Sequence, residues 1–310
     1  DRSVDPSVKD LSFAEFLALH DFKPASAAWA TNYVEGFNAA EADRISVRSL
    51  ARQQLAEDET SGDRVFRIVE GYQRLPEFLL HKFLLAGGEW VPSNPVQSIT
   101  WKAGSIEVAT TAGLGLKAAA AVITLPLGVL QARSVAFFPE PVNFLAAADR
   151  LVMGPAERVV YEFDPDFLSH SEMKDAGFVF IPDATPPTWW TTNPMPSGML
   201  TGWLAGRKAL RMNQEQLPET GLATLSRLLG HDLHTHLLGW RQHDWRSDAH
   251  SLGAYTYIPR GALGAADALS VPVEATLFVA GEHSDTSSNW GTVHGALRSG
   301  YRAAAQLLET

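Results

Sequence analysis

Across residues 11–57 apolar side chains recur at helical spacing, and Ser12 stands as an N-cap before Phe13, Phe16 and Leu17, so this opening stretch reads as mostly helix. The next pattern, RIVEGYQRLPEFLLHKFLLAGG, is a Gly-Tyr turn leading into an apolar-striped helix that stops at Gly87 and Gly88. The period then changes. VQSITWK and SIEVATT alternate apolar with polar on either side of a turn at residues 102–104, which predicts a hairpin. AAAAVITLPLGVL is a continuous apolar run, expected to form one buried strand ended by Pro126. Aromatic residues and prolines crowd residues 153–260, where strand and helix patterns mix. ATLFVAGEH predicts a buried strand and TVHGALRSGYRAAAQLLE a final helix. Parallel-type and hairpin strands together predict a mixed α/β fold.

The length of 310 residues supports two domains at roughly 150 residues each. With 45% hydrophobic and 19% charged residues, the composition excludes a disordered tail, a coiled coil or a collagen-like rod. Lys and Arg number 25 against 35 Asp and Glu, a net charge of −10, which is the wrong sign for nucleic acid. The absence of cysteine excludes disulfides, thiolate zinc sites, a cysteine nucleophile and any cofactor tied through sulfur. The longest apolar stretch, residues 118–130, is interrupted by Pro126 and Gly128 and falls short of the roughly 18 residues of a membrane helix. No membrane partner is expected. The chain opens on Asp1 with no signal-like pattern, so a cytoplasmic location is expected, with the true start of the gene product outside these residues.

Several local patterns dissolve on inspection. Gly113, Gly115 and Ala118 spell GxGxxA, yet a strand follows where a phosphate-binding helix would have to start, so a strand-to-strand turn is expected. His231, His234 and His236 lie close together but do not align on one helix face, which predicts a polar patch and no metal. Trp189 and Trp190 read as core filling ahead of a cavity lining. Ser251 and Ser299 lack the G-x-S-x-G elbow of a serine hydrolase.

The C-terminal segment carries more chemistry. A strand ends at Gly281 and Glu282, a polar loop follows, and Thr292 caps a helix whose Gly295, Ala296, Ser299 and Gly300 permit close packing. The free N–H groups of Val293 and His294, with the helix dipole, suit an anion or an electron-rich edge, although a plain capped helix on a sheet has the same pattern.

This segment resembles the C-terminal flavin-binding motif of the flavin-containing amine oxidases, a family of monoamine oxidases, polyamine oxidases and flavin-type histone demethylases. Three further blocks match in the same order: EGYQRLPEFLL with PVQSITW, VITLPLGVLQARSVAFFPEP followed by MGPAERVVYEF, and DWRSDAHSLGAYTYIP. The resemblance spans essentially the whole chain. It implies a two-domain FAD-linked fold, with residues 62–152 and 264–310 in the FAD-binding domain and residues 1–61 and 153–263 in the substrate domain. The family's opening strand, GxGxxG loop and helix have no counterpart. The chain is therefore expected to be the last two-thirds of such an enzyme, with a missing N-terminal segment or a partner chain completing the cofactor site.

The resemblance also implies roles. Glu282, with Gly281, falls near the ribitol and pyrophosphate of FAD, and Thr292 and Val293 lie under the pyrimidine edge of its ring. Val96 pairs with adenine through its backbone, and Thr124, Leu125 and Pro126 lie nearby. Tyr255 forms an aromatic wall of the substrate cage and Trp245 flanks the flavin. Aromatic faces attract amines, which agrees with that cage. Ala254 stands where monoamine oxidases carry the flavin-linking cysteine, so FAD is expected to be held non-covalently. Arg158 stands where the family places a lysine bridged through water to flavin N5, and an arginine holds charge but releases no proton near neutral pH. The implied reaction passes a hydride from the carbon beside an amine nitrogen to flavin N5, with O2 as the reoxidant and peroxide as product. An amino-acid oxidase or desaturase of the same superfamily, and a non-catalytic fragment or subunit, are the alternatives.

Overall fold

Ser12 caps helix Phe13–Ala18 reciprocally: its hydroxyl accepts from the Glu15 N–H, and the Glu15 carboxylate accepts from the Ser12 N–H at 2.8 Å. The computed structural model describes residues 9–59, 64, 66–195 and 197–310. Helices Pro24–Phe37 and Val47–Glu59 follow the first, and helix Arg74–Leu85 ends at Gly87, whose φ of +88° suits a residue without a side chain. Strands β1 (Val96–Lys102) and β2 (Ser105–Thr110) form the expected hairpin. Gly113 turns at φ +83° straight into β3 (Gly115–Ala118), which pairs with β2, so GxGxxA is a strand-to-strand turn.

One expected element is corrected. The apolar run from residue 118 contributes three strand residues, β4 (Ala121–Ile123), after which Pro126 starts the buried helix Leu127–Gln131. The proline cannot donate to a sheet, and its fixed φ suits a helix start, so the apolar run divides between two elements. Beyond it come β5 (Ala136–Phe138), β6 (Val152–Gly154), β7 (Ala156–Phe163), β8 (Phe178–Phe180), β9 (Thr188–Thr191), β10 (Met199–Ala205), β11 (Leu237–Gln242), β12 (Tyr255–Tyr257) and β13 (Leu277–Val279). Helix Val293–Leu308 closes the chain, its Thr292 hydroxyl accepting from Gly295 N–H as the pattern predicts.

Among the described residues the strands assemble in four groups. One sheet runs β3-β2-β1-β5, another β11-β7-β10-β9-β8, and two pairs, β12-β6 and the parallel β13-β4, complete the set. Ile99, Trp101, Leu127, Phe137, Phe144 and Leu277 belong to one buried core, and Val159, Tyr161, Phe163, Trp189, Leu204 and Leu225 to a second. Among the described residues no helix is long and apolar enough to cross a membrane.

The five-stranded sheet positions the site. Alternation along β7 sends Val159, Tyr161 and Phe163 into the second core and buries Glu157 on the same side, so Arg158 and Val160 lie on the opposite face. The antiparallel register places Trp203 beside Arg158, Thr188 beside Trp203, and Phe180 beside Thr188. On β9 the same alternation separates two adjacent tryptophans: Trp189 is fully buried in the core, while Trp190 joins the opposite face. Core filling, expected of both, holds for Trp189 alone.

Candidate active site

Helix Pro24–Phe37 lies against that second face of the sheet. Trp29, Asn32, Tyr33, Gly36 and Phe37 follow the helical spacing of one stripe, and all five line a cavity with Phe178, Phe180, Thr188, Trp190 and Trp203 of the sheet. Tyr255, at the start of β12, forms another wall. The space is about 260 Å³, and among the described residues no charged side chain lines it. Trp29 and Tyr33 stack at 5.9 Å between ring centroids, Tyr33 and Phe37 at 5.6 Å, and Trp203 and Tyr255 at 6.3 Å with only 8° between planes.

The polar ends of two of these rings are occupied. Trp203 donates its indole N–H to the Gly36 carbonyl at 2.9 Å, and Tyr255 donates its hydroxyl to the Phe37 carbonyl at 2.6 Å. Both acceptors belong to the last turn of the helix, whose carbonyls lack partners within the helix. These bonds tie helix to sheet and leave the ring faces for the cavity. Burial, with the charge of Glu282, pushes the Tyr255 hydroxyl well above its ordinary range, so it stays protonated as that donor.

A second cavity, of about 680 Å³, lies at the carboxyl ends of the parallel pair β4 and β13. Thr124 follows β4, Ala280 and Gly281 follow β13, and Val293, Ala296, Leu297 and Gly300 present one face of the C-terminal helix. Tyr72, Leu75 and Leu79 close the other side. The carboxyl end of a parallel sheet beside a helix N-terminus is where α/β proteins bind nucleotide-like cofactors. A side chain at Gly300 would meet nothing within 4 Å, so the helix face is open to a ligand.

Glu282 follows Gly281 of the second cavity and holds the strand that carries Tyr255 of the first. One carboxylate oxygen accepts from the Thr256 N–H at 3.1 Å and its hydroxyl at 2.7 Å, and the other accepts from the Gly291 N–H at 2.7 Å. It therefore clamps β12, which carries Tyr255, to the loop before Thr292. Gly291, at φ +71°, lets the Tyr255 ring approach so closely that a β-carbon would lie 2.9 Å from it. Burial raises the Glu282 carboxyl, and the bonds from Thr256 and Gly291 oppose that shift.

Gly281 takes φ +150° and donates its N–H to Ser299 Oγ at 2.8 Å, and a β-carbon there would strike the His283 ring at 2.3 Å. His283 itself is buried with Nε2 unpartnered, and burial with nearby Arg302 holds its pKa down to about 4, below the ordinary 6.5. The unfolded chain takes up this proton near pH 6.5 and the folded chain only near pH 4, so stability is fully present above 6.5 and falls on acidification between these values. The loss attributable to His283 is about 3 kcal/mol. Denaturant titrations at pH 7 and pH 4 should show His283→Leu relieved of that share; an unchanged pH dependence would contradict the assignment.

The residues expected from sequence separate into two groups. Thr124, Gly281 and Val293 line the second cavity, Thr292 caps the helix beside it, Tyr255 lines the first cavity on a strand held by Glu282, and Arg158 stands next to Trp203 on the sheet. Arg158 is exposed, makes no hydrogen bond or ion pair among the described residues, and has its pKa lowered by desolvation. Leu125 packs on the first core and Pro126 precedes helix Leu127–Gln131. Val96 begins β1 opposite Thr110, and Trp245 lies half-exposed against His243, so neither lines either cavity. Of the three clustered histidines, His236 stacks on Phe167 at 4.4 Å and His234 pairs with Asp232. Sequence reasoning missed Trp29, Tyr33, Phe37 and Trp203, although the helical stripe from Trp29 to Phe37 was present as a pattern.

The family profile of flavin containing amine oxidoreductases matches residues 2–308. The chain belongs to this family. It is 27% identical over 287 residues to polyamine oxidase 4 of Oryza sativa subsp. japonica, covering 89% of this chain and 55% of that protein. It is 28% identical over 287 residues to polyamine oxidase 2 of Arabidopsis thaliana, covering 89% and 54%. The chain thus spans about half the length of these relatives. Its fold matches a wild-type putrescine oxidase bound to putrescine with a TM-score of 0.83 at 18% identity, covering 100% of this chain and 71% of that one. Cyclohexylamine oxidase from Brevibacterium oxydans IH-35A matches with a TM-score of 0.73 at 19% identity, covering 96% and 67%. The flavin-linked fold and family expected from the sequence hold.

Proposed function

We propose that this chain carries the amine-binding part and one wall of the flavin site of an FAD-dependent amine oxidase. The observation that carries this reading is the link through Glu282: it holds the strand on which Tyr255 lines an aromatic cavity, and it follows Gly281, which lines a second cavity at the carboxyl ends of two parallel strands. The second cavity fits the pyrimidine end of a flavin: its helix face is open at Gly300, its backbone approach at Gly281 has no side chain, and Val293 and His294 offer N–H groups at a capped helix start. Bound there, FAD would supply two-electron oxidation of the carbon beside the amine nitrogen, turning the amine into an imine, with O2 as the final electron acceptor.

The residues of this chain then bind and position. The stacked faces of Trp203 and Tyr255 hold an amine by cation–π attraction and hydrophobic contact, while the apolar cavity excludes water from the reacting carbon. Val293 and His294 offer hydrogen bonds to charge developing at the ring edge. Arg158 contributes a fixed positive charge on the same sheet face and acts as no base. Ala254 provides no sulfur, so the cofactor is held non-covalently.

Anaerobic addition of a suitable amine to the flavin-loaded protein should bleach the visible flavin band, and air should restore it with release of peroxide. Acid precipitation should leave all the flavin in the supernatant. A flavin that stays oxidised with every amine tried would overturn the reading, and a yellow pellet would overturn the mode of attachment. Arg158→Met should slow reoxidation by O2 by roughly tenfold through loss of favourable charge, while Arg158→Lys retains it. Identical stopped-flow oxygen rates for wild type and both variants would remove Arg158 from the site.

A further inference from the structure

Another cavity, of about 420 Å³, adjoins the aromatic one: Asn32 and Pro182 stand in both linings. Asp183, Leu204, Lys208 and Arg211 are among its further walls. Gly206, at φ +60°, turns the end of β10 into the short helix Arg207–Arg211, and a β-carbon there would lie 3.0 Å from Glu35, so this turn packs against the end of helix Pro24–Phe37. Lys208 comes two residues later, is half-buried, and donates from Nζ to the Pro182 carbonyl. A residue that walls the aromatic cavity thus holds the amine of this lysine. Burial lowers the Lys208 pKa, against the opposing charges of Asp183 and Glu35, the latter paired with Arg207. A desolvated lysine keeps more of its amine neutral and nucleophilic than one in water, whereas Arg211, also in the lining, stays charged and offers no nucleophile.

We infer that Lys208 is a covalent trap for the carbonyl product of the proposed oxidation: an aldehyde formed in the aromatic cavity condenses with the Lys208 amine beside Pro182. The inference rests on the proposed amine-oxidase reading and goes beyond it. Hydrolysis of the imine that the oxidation yields releases ammonia and leaves an aldehyde. The Lys208 nitrogen adds to the aldehyde carbon, both of its protons leave with the carbonyl oxygen as water, and a C=N bond replaces C=O with no change of oxidation level. The cavity has room for a ring-sized product, because its volume exceeds the ~150 Å³ in which an engineered apolar cavity holds one benzene ring. The bond to Pro182 keeps the nitrogen at the wall where that product emerges, so the encounter is local.

Two experiments separate the lysine from the reading on which it rests. In the first, benzaldehyde and cyanoborohydride are added to the flavin-loaded protein, and the benzylated lysines are located by mass spectrometry. Lys208 should be labelled roughly tenfold faster than Lys9, Lys23, Lys82, Lys102, Lys117 or Lys174. The preference should vanish in urea, and Lys208→Arg, still able to donate to Pro182, should abolish the label at this position while flavin is retained. Uniform labelling of the folded protein, or a preference that survives in urea, would overturn the inference. In the second, benzylamine is turned over in air with cyanoborohydride, with catalase removing peroxide and semicarbazide capturing any aldehyde that escapes to solution. Lys208 should still become benzylated, because the product meets it before the scavenger. Aldehyde captured in solution with Lys208 unlabelled would overturn the trap. A protein whose Lys208 reacts with added benzaldehyde but which forms no aldehyde from benzylamine or putrescine would overturn the amine-oxidase reading, and with it the source of the product, while leaving Lys208 as an aldehyde-reactive site.

Discussion

Tyr255→Ala is expected to lower kcat/KM for the preferred amine by roughly ten- to a hundredfold, the range set by losing a cation–π face and its packing. The ring stacks on Trp203, its hydroxyl holds the Phe37 carbonyl, and its other side meets Gly291, so its removal opens a wall of the aromatic cavity. Flavin content should change little, because Thr124, Gly281 and Val293, which line the cofactor side, remain. Tyr255→Phe keeps the ring and loses one hydrogen bond, which costs about 1 kcal/mol in stability and little in turnover. Loss of flavin from a folded Tyr255→Ala protein would instead assign the ring to cofactor packing.

The second large effect belongs to Glu282→Ala. Three donors, the Thr256 N–H and hydroxyl and the Gly291 N–H, lose their acceptor together, and the two backbone groups lie in part-buried surroundings. Bonds to a carboxylate are worth about 1.5–3 kcal/mol each and are not additive within one cluster, so a destabilisation of roughly 4 kcal/mol is expected. The melting temperature should fall by about 10 °C, and flavin and amine binding should weaken together because Glu282 holds the strand of Tyr255 and follows Gly281. A variant as stable as wild type, with only one ligand affected, would contradict the clamp.

How legible the molecule is from sequence depends on the range of the interactions involved. Ser12 and Thr292 were recognisable as caps because capping is settled within four residues, and the hairpin around Gly104 because alternation and turn lie side by side. Pro126 was read as the end of a strand, while its second role as the start of helix Leu127–Gln131 was hidden because a buried helix and a buried strand carry the same apolar composition. The helix stripe from Trp29 to Phe37 and the alternation that separates Trp189 from Trp190 are each visible locally. That they enclose one cavity depends on the register of β9 and β10 and on which sheet face the helix covers, neither of which is written in neighbouring residues. Tyr255, Glu282, Thr292 and Val293 come from the resemblance, and Glu282 ties the strand of Tyr255 to the loop before Thr292; Val96 and Trp245 have the same source and line neither cavity.

The central claim, that amine and cofactor occupy two cavities linked through Tyr255 and Glu282, is tested most directly by a crystal structure of the flavin-loaded protein, held reduced, with an amine bound. The pyrimidine edge of the flavin should lie at Val293 with its ribitol beside Gly281, and the amine among Trp190, Trp203 and Tyr255, with the reacting carbon beside Tyr255. An amine bound away from the aromatic cavity, or a flavin away from the ends of β4 and β13, would contradict it.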